Sequence, residues 1–111
     1  MAIDPENIPF QTINWETISK TTHAGTTGVA WWQTLQFAGL RVRIVEYSPG
    51  YLADHWCQKG HIVYCLEGEF VTKLQNGESY RLTPGMSYQV ADNVEAHRSF
   101  TATGVKLFIV D

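Results

Sequence analysis

Charge, cysteine and long apolar runs are all scarce in this chain. Its 111 residues hold 8 Lys plus Arg against 11 Asp plus Glu, a formal net charge of −3. No Lys/Arg cluster occurs, which argues against nucleic acid or an anionic membrane surface as a partner. The 2 cysteines allow at most one disulfide, and a reducing compartment leaves both as thiols. The first ten residues have neither a basic start nor an apolar run, and no later segment is long enough to span a bilayer. The expectation is a cytoplasmic protein with free Cys57 and Cys65.

Aromatic residues, by contrast, are plentiful. The chain carries 4 Trp, 5 Tyr and 5 Phe, a composition suited to an all-β domain with a filled interior and an apolar subunit contact. At this length one core is expected, hence a single domain over 1–111. Residues 1–28 read as an N-terminal arm and loop. Pro5 and Pro9 favour extended chain at its start, and Asn14 can cap a single helical turn. Thr21 to Gly28 reads as a polar loop.

From Val29 the pattern becomes β-like. Expected strands run over 29–37 and 40–47, separated by Ala38-Gly39 and closed by the turn Ser48-Pro49-Gly50. Short strands follow around 53–57, 61–66 and 69–74. Asn76-Gly77 signals a tight hairpin into 78–82. Pro84-Gly85 turns the chain into 86–90, Asp92-Asn93 makes a loop before 97–101, and Thr103-Gly104 leads to a final strand over 105–110. Seven to nine short strands at this spacing suggest a jelly-roll barrel or sandwich.

Within this frame, His55, Cys57 and His61 stand close together and His97 follows beyond the Pro84-Gly85 turn. His55 and Cys57 are two apart, so on extended chain both leave the same face and Trp56 leaves the other. Imidazole and thiolate suit a borderline or soft divalent ion. The plainer reading makes His55 a buried structural histidine and Cys57 a small core residue. His23 lies in the polar loop and reads as a surface histidine. Cys65 stands too far along its strand from His61 to share one ion, and reads as core. Asp54 reads either as an acceptor that orients an imidazole or as a solvated carboxylate. Arg41 and Arg43 share one strand face; such alternation usually marks a solvated outer face, and a face lining the barrel would make them a carboxylate clamp.

The spacing resembles the small cupins. Their first motif runs Gly, a few residues, His-X-His, three or four residues, Glu, six residues, Gly; here His55-X-Cys57-X3-His61-X6-Gly68 follows it. Cys57 replaces the second His and His61 replaces the Glu. Pro84-Gly85-Met86 through His97 looks like the second motif, and Leu66-Glu67-Gly68-Glu69 like the turn between the two. The two motifs span 50–97. More narrowly, Asp54-His55-Trp56-Cys57 resembles the motif of an Asp-His-Cys-Trp cupin-fold family whose activity is not established.

The resemblance implies a cupin-type jelly roll holding one divalent transition metal (Zn, Fe, Ni or Cu) on His55, Cys57, His61 and His97. It also implies a homodimer with a small-molecule ligand or substrate in the barrel. Two functions fit: a metal enzyme performing oxidation, dioxygenation or isomerisation, or a non-catalytic metal-braced binding or sensor module.

Overall fold

The structure, a computed structural model, describes residues 8–37 and 39–111. Residues 1–7 at the start of the expected N-terminal arm, and Ala38 of the expected Ala38-Gly39 turn, lie outside the described residues. The described chain forms one 3₁₀ turn, Trp15–Thr17, and nine strands: β1 Thr21–Ala24, β2 Val29–Phe37, β3 Leu40–Tyr47, β4 His61–Gly68, β5 Phe70–Leu74, β6 Ser79–Leu82, β7 Ser87–Val90, β8 His97–Phe100 and β9 Val105–Val110. They build a six-stranded sheet in the order β1-β2-β3-β9-β4-β7 and a three-stranded sheet in the order β6-β5-β8. Every strand pair is antiparallel. This is an all-β jelly roll, as the turn spacing predicts.

Turn chemistry explains most of the boundaries. Gly77 takes φ 94° and Asn76 accepts the Glu78 N–H on its side chain at 2.9 Å, which closes the β5–β6 hairpin. The 3₁₀ turn is capped as expected, with the Asn14 side chain accepting from Glu16 N–H at 3.1 Å.

Two segments differ from the sequence expectation. Thr21–Ala24 is a strand rather than a loop, paired with Val29–Trp32 of β2. Its β-branched threonines suit a sheet edge, and the Gly25 N–H to Gly28 carbonyl bond, 3.0 Å, closes the intervening turn. Conversely, the 53–57 segment is not a strand: it is tied by the Cys57–His97 bridge and by the Ala53 N–H to Ser99 carbonyl bond, 3.0 Å. Asp54 and His55 are exposed there, so no regular alternation is buried to hold a ladder.

Alternation then sorts the interior. Val45, Val63, Cys65, Phe70, Leu82, Val105, Leu107 and Ile109 form the core, with Trp32, Tyr47 and Tyr88 packed against it. Cys65 is fully buried in that core, as its parity predicts. Because β3 and β4 both run antiparallel to β9, registers bring Arg41 and Arg43 of β3, Ile109 and the following Asp111, and His61 of β4 to the same end of the sheet. Cys65, Leu107 and Val45 lie further along, so the barrel is apolar at one end and polar at the other. The side chains of Arg43, His61, His97 and Asp111 are nevertheless almost wholly buried.

Candidate metal centre

Three elements deliver the polar cluster. His61 opens β4 and points inward with Val63 and Cys65. His97 opens β8 and points inward with Ser99. Cys57 lies in the connection ahead of β4 and is bridged to His97. The turn between Cys57 and His61 is clipped to the loop before β8 by two bonds: Asn93 N–H to the Gln58 carbonyl, 2.7 Å, and Gly60 N–H to Asp92 Oδ1, 2.5 Å. A side chain at residue 60 would meet the Asp92 backbone nitrogen at 2.6 Å, so only glycine permits this approach.

The outcome is that Cys57, His61 and His97 bring one ligand atom each within 4.8 Å of one another. The His97 ring is oriented from behind, its Nδ1 lying 2.9 Å from the Glu95 carbonyl oxygen. Donation there leaves Nε2 with its lone pair free and facing His61 Nε2 at 2.7 Å. Tyr88 OH stands 3.1 Å from the same His61 nitrogen. His61 Nδ1, buried, has no hydrogen-bond partner; the nearest anion, Asp111 Oδ2, lies 3.9 Å away, beyond hydrogen-bond range. A ring that presents Nε2 to an ion must carry its proton on Nδ1, and Asp111 faces that side. The donor set therefore fits a borderline or soft cation held by thiolate and imidazole.

Electrostatics agree with this set. The neighbouring His97 imidazole holds the Cys57 thiol below its ordinary range, although burial opposes it. Burial lowers the His61 pKa and outweighs the pull of Asp111, which keeps that ring neutral and able to ligate.

His55 stands outside the group of three. Its side chain is 71% exposed and its Nδ1 lies 2.6 Å from Asp54 Oδ1, the orienting contact foreseen as one role of Asp54. It lines the same cavity as Cys57, His61 and His97, at the solvent side. His23, expected in a surface loop, belongs to β1 and stacks on Trp32 with ring centroids 3.7 Å apart.

The cavity has a volume of about 140 Å³, and Arg41, Arg43, Tyr88 and Asp111 also line it. The two arginines thus face inward, against the usual solvated reading of their alternation. On the other face of β3, Val42 and Ile44 are half-buried, and Trp15 lies edge-on to their neighbour Phe108 at 6.3 Å. The buried Asp111 makes the inward placement tolerable: Arg41 grips it with Nε and Nη2 at 3.0 and 2.9 Å, and Arg43 Nη2 reaches the same carboxylate at 3.0 Å. Sequence reasoning missed Asp111 and Tyr88. Continuing the β9 alternation Leu107, Ile109 one step further points Asp111 inward, and the Tyr88, Val90 alternation of β7 does the same for Tyr88.

No protein-family model and no curated protein matches the chain. Solved structures do. A protein described as a predicted oxalate decarboxylase from Thermotoga maritima superposes with a TM-score of 0.76 at 17% identity, over 90% of this chain and 96% of the other. An RmlC-like cupin from Shewanella frigidimarina gives 0.73 at 22% identity, over 92% and 89%. The chain folds as a small cupin. Ectoine synthase from P. lautus is a further similar structure, with a TM-score of 0.69 at 25% identity over 91% of this chain and 76% of that one. The expected cupin assignment holds at the level of the fold. Among the described residues, no helix is long and apolar enough to cross a membrane. Cys57 and Cys65 are free thiols.

Proposed function

We propose that this cupin is a metal-dependent enzyme acting on a small molecule inside the barrel, with the metal held by Cys57, His61 and His97. The observation that carries the reading is the convergence of three soft or borderline donors within 4.8 Å on the wall of an internal cavity. Three protein ligands leave coordination positions open, which is the usual arrangement of catalytic rather than structural sites. Zn, Fe, Ni or Cu suits these donors better than Mg or Ca, which require oxygen ligands. Bound there, the ion would supply Lewis-acid or redox chemistry. The surrounding residues would do the rest. Tyr88 presents a hydroxyl beside His61, and the arginine pair supplies positive charge. Isomerisation and oxidation both fit this equipment. An oxalate decarboxylase-like protein, a sugar phosphate isomerase of the cupin superfamily and an ectoine synthase among the similar structures support an enzymatic role.

One observation favours a second reading. His55 lies on the same cavity and is exposed enough to turn inward. As a fourth ligand it would complete the His55, Cys57, His61, His97 set and close the site, making the metal a brace for a non-catalytic binding or sensor module. The test is elemental analysis of protein purified without a metal-affinity tag, followed by cobalt substitution. A cobalt spectrum with a thiolate charge-transfer band that His55→Ala leaves unchanged supports the enzyme. A four-coordinate tetrahedral spectrum that changes in His55→Ala supports the closed site. Protein without stoichiometric metal under both treatments overturns both.

We also infer a homodimer. Val42, Val110 and Ile62 stand in register across β3, β9 and β4, and Ile44, Phe108 and Tyr64 form the adjacent row. Ile62 and Tyr64 are 38% and 42% exposed. An apolar outer sheet face of this kind is suited to pairing two copies.

A further inference from the structure

Arg41, Arg43 and Asp111 form a group, buried at Arg43 and Asp111 and half-buried at Arg41, whose charges do not balance. Two guanidinium ions share one carboxylate, with all three contacts at 2.9–3.0 Å. Arg43 is only 6% exposed, yet its Nε has no hydrogen-bond partner. A buried guanidinium left partly unpaired is costly unless another anion completes it. The remaining charged groups on the cavity do not cancel the excess. Among the side chains that line the cavity, Lys59 adds a further cation, and even a thiolate at Cys57 leaves one positive side-chain charge. A divalent ion on the Cys57, His61 and His97 donors would raise it further.

We propose that the cavity binds a small monocarboxylic acid, its carboxylate paired with Arg41 and Arg43 and its other end directed at the Cys57, His61 and His97 donors. This names the substrate class for the enzymatic reading above and rests on it. The geometry is preorganised. Asp111 fixes the Arg41 fork through two bonds but takes only one from Arg43, leaving further donors of Arg43 uncommitted. Trp32 underlies both guanidinium groups, at 4.4 Å from Arg43 and 5.6 Å from Arg41, which restricts their motion. The Asp111 oxygen that both arginines share is also the one 3.9 Å from His61 Nδ1. The anion-binding end and the metal-binding end are therefore separated by one carboxylate.

Size limits the acid. The cavity of about 140 Å³ is close to one that holds a benzene molecule, so a ligand of roughly six heavy atoms fits it. Tyr88 and Ser99 on its wall offer hydroxyls to a second oxygen on the acid, which favours hydroxy or oxo acids over plain fatty acids.

The experiment is calorimetric titration of the metal-characterised protein with lactate, glycolate and pyruvate, and with lactamide and glycolamide as neutral isosteres. The acids are expected to bind and the amides not. Arg41→Gln, at a half-buried position, should weaken lactate by about tenfold or more, because a charge-assisted pair is lost. Arg43→Lys, which keeps the charge and loses the fork, should weaken it as well. Circular dichroism identifies a misfolded variant, and the amide comparison on the unmodified protein needs no variant. Equal binding of acid and amide, unchanged affinity in a folded Arg41→Gln protein, or no binding of any of the three acids would overturn the proposal. A protein that purifies without metal, takes up none and still binds lactate would keep the acid site and remove the metal reading; a metal-loaded protein indifferent to all three acids would remove the acid site and keep the metal reading.

Discussion

Cys57 and His97 exchange both of their backbone hydrogen bonds, at 2.8 and 3.0 Å. Residues paired in this way across an antiparallel bridge project their side chains to the same face. A thiol from an irregular connection is thereby delivered beside an imidazole from β8. Their titrations respond to one another. The Cys57 thiol is held down chiefly by His97. Burial would lower His97, but the bonds to Cys57 and to the Glu95 carbonyl outweigh it and raise its pKa. The bridge sets up a thiolate–imidazole pair whose proton a metal ion can replace.

The first prediction separates three ligands from four. Cys57→Ser and His97→Ala should each weaken metal binding by about 100-fold or more, since a direct ligand matters more than an outer one. His55→Ala should keep stoichiometric metal under the enzymatic reading. Metal-to-protein ratios after dialysis against a weak chelator provide the measurement. Undiminished stoichiometry in His97→Ala would remove the centre altogether.

Protons should compete with the metal. Ligand histidines must be neutral and Cys57 deprotonated, so metal affinity should fall as pH drops from about 7 to about 5. An ion that binds only the folded state stabilises it by mass action. The gap in Tm between metal-loaded and metal-stripped protein should therefore narrow over that range. A constant gap would mean that histidines do not hold the ion.

Asp111 should matter for stability out of proportion to its place just past the end of β9. Removing one partner of a buried ion pair leaves the others uncompensated, so Asp111→Ala should cost about 3–5 kcal/mol by chemical denaturation. Formate added to that variant should restore part of the loss by occupying the vacated position. The pH dependence carries a definite sign. Burial would raise the Asp111 pKa, but the neighbouring His61, Arg41 and Arg43 overcome it and hold the carboxyl well below the usual range. A depressed carboxyl contributes stability that is complete above its unfolded value near pH 4 and is lost as pH falls through the folded value. Wild-type protein should therefore lose more stability than Asp111→Asn between about pH 4 and pH 2.

Gly60→Ala tests the clip between the two loops. Its Cβ would come within 2.6 Å of the Asp92 backbone nitrogen, and backbone cannot yield as a flexible side chain can. The variant should lose about 1–3 kcal/mol and bind metal more weakly, because residue 60 directly precedes His61. Unchanged metal affinity would show that the loop is free to adapt.

The outer face of β3, β9 and β4 supplies the last test. Tyr64→Glu should give a folded monomer where the wild type gives a dimer by light scattering, because a carboxylate at the centre of an apolar contact must be desolvated. A monomeric wild type would remove the inferred pairing.

Much of the architecture is legible in local chemistry. The strands 29–37, 40–47 and 105–110 follow from alternation and their bounding turns, since each buries one face of a pleat. The Asn76-Gly77 hairpin follows from glycine's access to positive φ. His61, His97 and Cys57 stand out as donors because few other side chains suit a soft cation. The strand at Thr21–Ala24 was less visible, because an edge strand beside β2 needs little apolar pattern of its own.

What the chain alone determines is therefore which segments are extended, where they turn, and which residue types are available as ligands. Periodicity and turn residues act over a few positions, and sequence reports them directly. Only the tertiary structure decides which of those residues meet. It sets the Cys57–His97 bridge across distant segments, leaves His55 at the cavity mouth with Asp54, and turns Arg41 and Arg43 inward toward Asp111. Those choices depend on which strands lie side by side and in what register, and that is settled by packing the whole core rather than by any one stretch of chain.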